Sequence, residues 1–226
     1  MARLCFDYGH GGEDSGAYYN GRKESNDVLS IGKAVASEVR RNGVTVDEIR
    51  TSDATVSLWE RSNFENRNDY DYFISFHRNA FMPEQARGVE TYTYTNQDGN
   101  SKAMADKIQS ALVNIGFVNR GVKKENFHVL RETKAPAVLI EMGFIDNTGD
   151  NNLFDSKRIE IIKGITKAIL TQLGIAYKEE SVNNSNDGKT LYRVMAGSFS
   201  VRENAEKQVQ KLKAAWFDAT IMIFNK

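Results

Sequence analysis

Between residues 3 and 175, short apolar runs alternate with amphipathic helical stretches, and this alternation confines the chain to an α/β architecture. Leu4–Asp7, Val44–Ile49 and Tyr72–Phe76 read as strands. Ala137–Ile140 is continuous in its apolar character, as a strand covered on both faces must be. Gly88–Thr95 alternates Val89, Thr91 and Thr93 with Glu90, Tyr92 and Tyr94, which predicts a strand with two unlike faces. The helix Asp27–Arg41 carries Val28, Ile31, Val35 and Val39 on one side, with Ser25 or Asn26 as its cap and Asn42-Gly43 as its stop. Further helices are expected near Ser57–Asn68, from Ser101 to Gly116, and over Ser156–Leu173 with Ile159, Ile162, Ile165, Ile169 and Leu173 inward. Such an order builds a twisted, mostly parallel sheet with helices on both faces.

A composition break follows this domain of residues 1–176. Lys178 to Lys189 holds one apolar residue, so 177–189 reads as a flexible linker. Residues 190–226 read as a small β-α-β segment, with strands at Leu191–Gly197 and Ala219–Phe224. The helix between them is expected to open on a capping box, Ser200-Val201-Arg202-Glu203. Fewer than ~40 residues rarely sustain a core alone, so this piece needs a partner.

The totals exclude several functions. Lys+Arg and Asp+Glu each number 30, which leaves no basic footprint for nucleic acid. Cys5 is the single cysteine, so no internal disulfide framework exists. No run approaches ~18 apolar residues, and none is expected to span a membrane. Asp7 and His10 interrupt the first apolar run, so no signal-peptide core is expected. Synthesis in the cytoplasm is the expectation, with release toward any external target by another route.

Four polar residues stand out by position. His10, in Asp7-Tyr8-Gly9-His10-Gly11-Gly12, follows the first strand. His77 follows Tyr72–Phe76, Glu141 follows Ala137–Ile140, and Glu24 lies just ahead of a helix. Strand ends and helix starts in an α/β sheet converge on one crevice. Two imidazoles and one carboxylate make a three-ligand zinc set with an open position, and a second carboxylate can act as base. Glu141 is the hardest to explain otherwise, because a carboxylate after a doubly covered strand is poorly solvated. His128 sits in Phe127-His128-Val129-Leu130, which reads as mid-strand and outside the site.

Taken in order, Asp7–Gly12, Lys23-Glu24, Ser75-Phe76-His77-Arg78-Asn79-Ala80 and Glu141-Met142-Gly143-Phe144 resemble the zinc-dependent N-acetylmuramoyl-L-alanine amidases of the bacterial cell wall. Arg50 with Asp53, Leu58 with Arg61, Gly88–Thr91, Val129–Arg131 and Pro136–Leu139 agree with that resemblance. It implies His10, Glu24 and His77 as Zn2+ ligands, Glu141 as the catalytic carboxylate, and peptidoglycan as substrate. Arg78 stands where a small residue is common, a departure that removes no ligand but would alter substrate contacts beside the zinc. Met142 replaces a more usual branched aliphatic. Asn79 and Arg131 are candidates for supporting substrate or ligands.

The tail, from Tyr192 to Phe199 with Glu203–Glu206 and Leu212, resembles half of a sporulation-related (SPOR) repeat. That resemblance implies wall binding, and a lone half implies a homodimer through residues 190–226. The biological settings that fit are a phage endolysin, the favoured expectation, and a sporulation enzyme that dissolves the mother cell. A zinc carboxypeptidase on stem peptides and a non-catalytic wall-binding protein are the competing classes.

Overall fold

In the computed structural model, which describes residues 2–96, 99–179, 196–215, 217 and 219–222, Arg3–Tyr8 forms strand β1. A short hairpin, Tyr18–Tyr19 (β2) with Arg22–Lys23 (β3), leads directly into helix α1, Glu24–Arg41. Strand β4 (Thr45–Glu48), helix α2 (Leu58–Asn66) and strand β5 (Tyr72–Asn79) come next. They are followed by β6 (Val89–Thr93), α3 (Asn100–Ile115), β7 (Asn119–Lys124), the single turn α4 (His128–Arg131) and β8 (Ala137–Phe144). Helices α5 (Thr148–Ser156) and α6 (Arg158–Gln172) complete a unit that ends at Glu179. A second unit, Glu180–Lys226, contains helix α7, Arg202–Ala214.

The principal sheet has the order β4-β1-β5-β8-β6-β7. Pairing is parallel throughout except between β6 and β8. Side chains alternate across each strand, so every central strand feeds two cores. Leu4, Phe6, Tyr8, Ile74, Phe76, Val138 and Ile140 meet the apolar sides of α1, α3 and α6. Their neighbours Cys5, Phe73, Ala137 and Leu139 pack on the opposite face against Val129 and Leu130 of α4, with Phe64 of α2 alongside. The architecture is α/β, with a mostly parallel sheet covered on both sides.

Several local expectations are corrected. Helix α1 starts at Glu24, not Asp27, and neither Ser25 nor Asn26 caps it. Its first N–H groups are satisfied by loop carbonyls instead: Glu24 N donates to Ala17 O at 2.9 Å and Ser25 N to Ser15 O at 3.0 Å. The predicted helix Ser156–Leu173 is interrupted at Lys157, where α5 ends and α6 begins. Ile159 points to solvent at 66% exposure, while Ile161, Ile165 and Ile169 are buried. His128 opens a helical turn rather than lying in a strand, because Leu130 N and Arg131 N both bond back to Phe127 O. The capping box at Ser200 does not form; Val201 precedes α7 without a side-chain bond. Among the described residues of that unit no strand is present. Residues 191–195, 223 and 224 of the two expected strands lie outside the described residues, and with them the edges invoked for a homodimer.

Candidate active site

The site is built from the loop after β1. Two buried arginines, 3% exposed each, hold that loop by its carbonyls. Arg50 donates to Tyr8 O at 2.8 Å, Gly9 O at 2.9 Å and Ser25 O at 3.0 Å. Arg61, from α2, donates to Tyr8 O and His10 O, both at 2.8 Å, and pairs with Asp7 at 2.5 Å. Ser75 of β5 donates to the other Asp7 oxygen at 2.7 Å. Gly12 N reaches Asp53 at 2.8 Å, so the sequence landmarks Arg50, Asp53 and Arg61 all act on one loop. Removing one partner of a buried ion pair leaves the other charge uncompensated. Arg61→Met is therefore expected to cost about 3–5 kcal/mol of stability, read from urea unfolding; a loss below ~1 kcal/mol would contradict this account.

That scaffold holds His10 at φ 62°, a left-handed conformation uncommon for a residue with a Cβ. Its Nδ1 donates to Asp14 at 2.8 Å, which turns Nε2 toward Glu24 Oε2 at 3.3 Å. His77 Nδ1 faces Glu24 Oε1 at 2.9 Å. Glu24 is 4% exposed and receives two backbone N–H groups, from Arg78 at 3.0 Å and Ala17 at 2.9 Å. The two imidazole rings lie edge to face, 5.1 Å apart. Close approach depends on Gly9: a Cβ there would stand 2.2 Å from His77 Cε1.

One donor atom from each of His10, Glu24 and His77 falls within 4.8 Å of the others, the cluster of this kind found among the described residues. Nitrogen, oxygen and nitrogen donors suit zinc, and the Asp14 contact is the outer support that ligating histidines usually have. Burial opposes the charge on His10, but the Glu24 and Asp14 carboxylates outweigh it and push its pKa up to about 9. Burial likewise works against ionised Glu24, yet the two histidines hold its carboxyl far below the usual carboxylate range. The set is thus a buried carboxylate between two imidazoles, with His10 held toward its protonated form, a charge distribution that a cation can replace.

Strands β5 and β8 run further than their apolar stretches, so His77 and Glu141 lie within the ladder, not beyond it, and are register partners. Glu141 Oε2 is buried without a hydrogen-bond partner. Burial pushes the Glu141 carboxyl well above its ordinary range, and the charges of Glu24 and Glu90 push the same way, with Arg78 opposing.

Arg78 does not stand beside a substrate. Strand alternation sends its side chain, fully buried, to the other face. There it meets Asp27 at 2.7 Å, Asn151 at 2.7 Å and the Phe154 ring at 4.2 Å. Its contribution to the site is its backbone N–H on Glu24. Asn79 donates to Glu90 at 3.3 Å, and Arg131 is exposed and bonds Glu132 and Asn126, both at 2.7 Å. Asp14 and Glu90 join the site through contacts that the sequence motifs do not mark; the spacing of Asp14, four residues past His10, is the one local signal for the first.

Such a sheet gathers two histidines and two glutamates at one end, a donor set able to hold a divalent ion with a spare carboxylate beside it. The chain belongs to the N-acetylmuramoyl-L-alanine amidase family, Amidase_3, whose profile matches residues 4–171. A SPOR domain profile matches residues 166–222, reaching back into α6, whose Ile169 and Leu170 are packed in the core of the first unit. N-acetylmuramoyl-L-alanine amidase CwlM of Bacillus licheniformis is 35% identical over 98% of this chain and 85% of its own length. A sporulation-specific N-acetylmuramoyl-L-alanine amidase of Bacillus subtilis is 33% identical over 99% of this chain and 85% of its own. The crystal structure of an N-acetylmuramoyl-L-alanine amidase from Clostridium difficile superposes with TM-score 0.73 at 30% identity, covering 76% of this chain and 97% of that one. The catalytic domain of CwlV from Bacillus (Paenibacillus) polymyxa gives 0.72 at 31% identity, over 78% and 100%.

Proposed function

We propose that this chain is a zinc-dependent peptidoglycan amidase that hydrolyses the amide between the lactyl group of N-acetylmuramic acid and L-alanine. The observation that carries the reading is the His10–Glu24–His77 cluster with the partnerless Glu141 oxygen one strand away, in register with His77. His10, Glu24 and His77 would hold the ion. Zinc, when bound, supplies Lewis acidity toward a carbonyl and brings the pKa of water toward ~7. Glu141 accepts the proton of the attacking water and returns it to the nitrogen of the departing alanine. Its buried setting raises its pKa, which favours the protonated form that hands a proton to the leaving nitrogen over what a solvated glutamate would offer. Arg50 and Arg61 keep the His10 loop in place throughout.

The relatives that match nearly the whole chain are amidases of bacilli, one of them sporulation-specific. They favour a bacterial, sporulation-associated role over the phage endolysin setting. The SPOR-matching segment would hold the enzyme on glycan strands, and residues 1–176 would carry the chemistry. No helix among the described residues is long and apolar enough to cross a membrane.

Mass spectrometry of digested sacculi tests the activity. Stem peptides with a free N-terminal alanine are the expected product. Peptides that lack only their terminal residue would instead identify a carboxypeptidase, and an unchanged wall a binding protein.

A further inference from the structure

One level of the sheet carries a row of four polar side chains across four strands. His77 on β5 pairs with Glu141 on β8, and Glu141 pairs with Glu90 on β6. At the same level β7, the edge strand, supplies Arg120, between the register pairs Val89–Asn119 and Thr91–Val122. Lys123, opposite Tyr92, joins it from the same strand.

Glu90 is the hub of this end of the row. Its Oε1 receives Arg120 Nε and, at 2.9 Å, Lys123 Nζ; its Oε2 receives Asn79 at 3.3 Å and the Tyr92 hydroxyl. The carboxylate is 2% exposed, but the Arg120 and Lys123 side chains are 36% and 41% exposed. Arg120 also lies over the Phe144 ring at 5.0 Å, which fixes the plane of the guanidinium. One buried carboxylate therefore tethers two solvent-facing cations beside Glu141. Their combined charge exceeds what Glu90 alone neutralises.

Resting on the amidase reading, we infer that Arg120 and Lys123 form an anion subsite for a carboxylate on the peptide side of the scissile amide. The sugar side is uncharged there, because the lactyl carboxyl is consumed in the bond itself. Only the peptide can bring an anion to this row. Adjacent strands lie about 4.8 Å apart, and extended peptide advances ~3.3 Å per residue. Cations reaching back to Glu90 thus meet the residue that follows the alanine, where they call for an acidic side chain. The subsite directs the peptide toward the β7 edge and leaves the glycan on the side of the metal cluster.

Two synthetic fragments separate this role from a purely structural one. Both are N-acetylmuramoyl-L-alanyl-D-glutamate, one with free carboxyls and one as the diamide. The full-length protein is expected to favour the acid in kcat/KM by about tenfold or more, the scale of a charge-assisted hydrogen bond. In the double variant Arg120→Gln, Lys123→Gln that ratio is expected to fall toward one, and in Arg120→Lys, Lys123→Arg to recover. Circular dichroism of each variant verifies the fold. A wild-type ratio near one, or a ratio preserved in the glutamine variant, would overturn the subsite. Failure of the amidase reading shows differently: wild type then cuts neither fragment, and the subsite falls with it.

Discussion

Glu141→Gln is expected to slow amide hydrolysis by about 10²- to 10⁴-fold while leaving zinc uptake intact. Glutamine keeps the shape of the side chain and removes its capacity to carry a proton. Uptake is spared because Glu141 lies one strand from His77 and supplies no donor to the His10–Glu24–His77 cluster. The same substitution has a second, opposite signature. Burial first, then the charges of Glu24 and Glu90, raise the Glu141 pKa in the folded state. A raised carboxyl contributes stability that is present below its unfolded pKa, about 4.3, and lost as pH rises through the folded value. The metal-free variant should therefore have a higher Tm than metal-free wild type at pH 7–8 (roughly 1–3 kcal/mol from one buried charge). That advantage should shrink as pH falls toward ~4. Full activity in Glu141→Gln would remove it from the mechanism. A Tm difference that does not change with pH would show that its setting is not the one described.

The second large effect is metal removal. Chelation is expected to stop hydrolysis and added zinc to restore it, whereas His77→Ala should lose both uptake and activity. Uptake should also release a proton. Burial pulls the His10 pKa down, but Glu24 and Asp14 outweigh it and bring it to about 9. The ring is then protonated at neutral pH in the metal-free protein and must shed that proton to bind an ion. Glu24, held far below the usual range, is already ionised and adds none. Apparent zinc affinity should consequently rise about tenfold per pH unit below ~9 and level off above it. Calorimetry in buffers of unlike ionisation heat measures the proton count directly. A count near zero at pH 7 would mean that His10 is neutral before the ion arrives.

Much of this organisation is visible in the residues themselves. Period-two and helical periodicity placed the central strands and the inward faces of α1 and α3, because burial on a sheet or helix repeats with the geometry of the element. His10, Glu24, His77 and Glu141 were singled out by standing next to apolar runs, and the fold brings all four together. Strands β5 and β8 outrun their apolar stretches because a polar pair, His77 and Glu141, stays within the ladder where the site requires it. Helix α1 begins early because carbonyls of residues 15 and 17 replace a capping side chain. Short β7, with the sequence Asn119-Arg120-Gly121-Val122-Lys123-Lys124, shows no apolar alternation, since it covers an edge.

The linear order of residues determined the α/β class and singled out the four residues of the candidate site, since each rests on local periodicity and on side-chain chemistry. Tertiary structure alone decided which oxygen meets which nitrogen. It turned Arg78 away from the crevice, set Arg50 and Arg61 on the carbonyls of the His10 loop, and gathered Arg120 and Lys123 around Glu90. Those contacts join residues up to dozens of positions apart, and a buried charge takes whichever partner the packed strands place within reach.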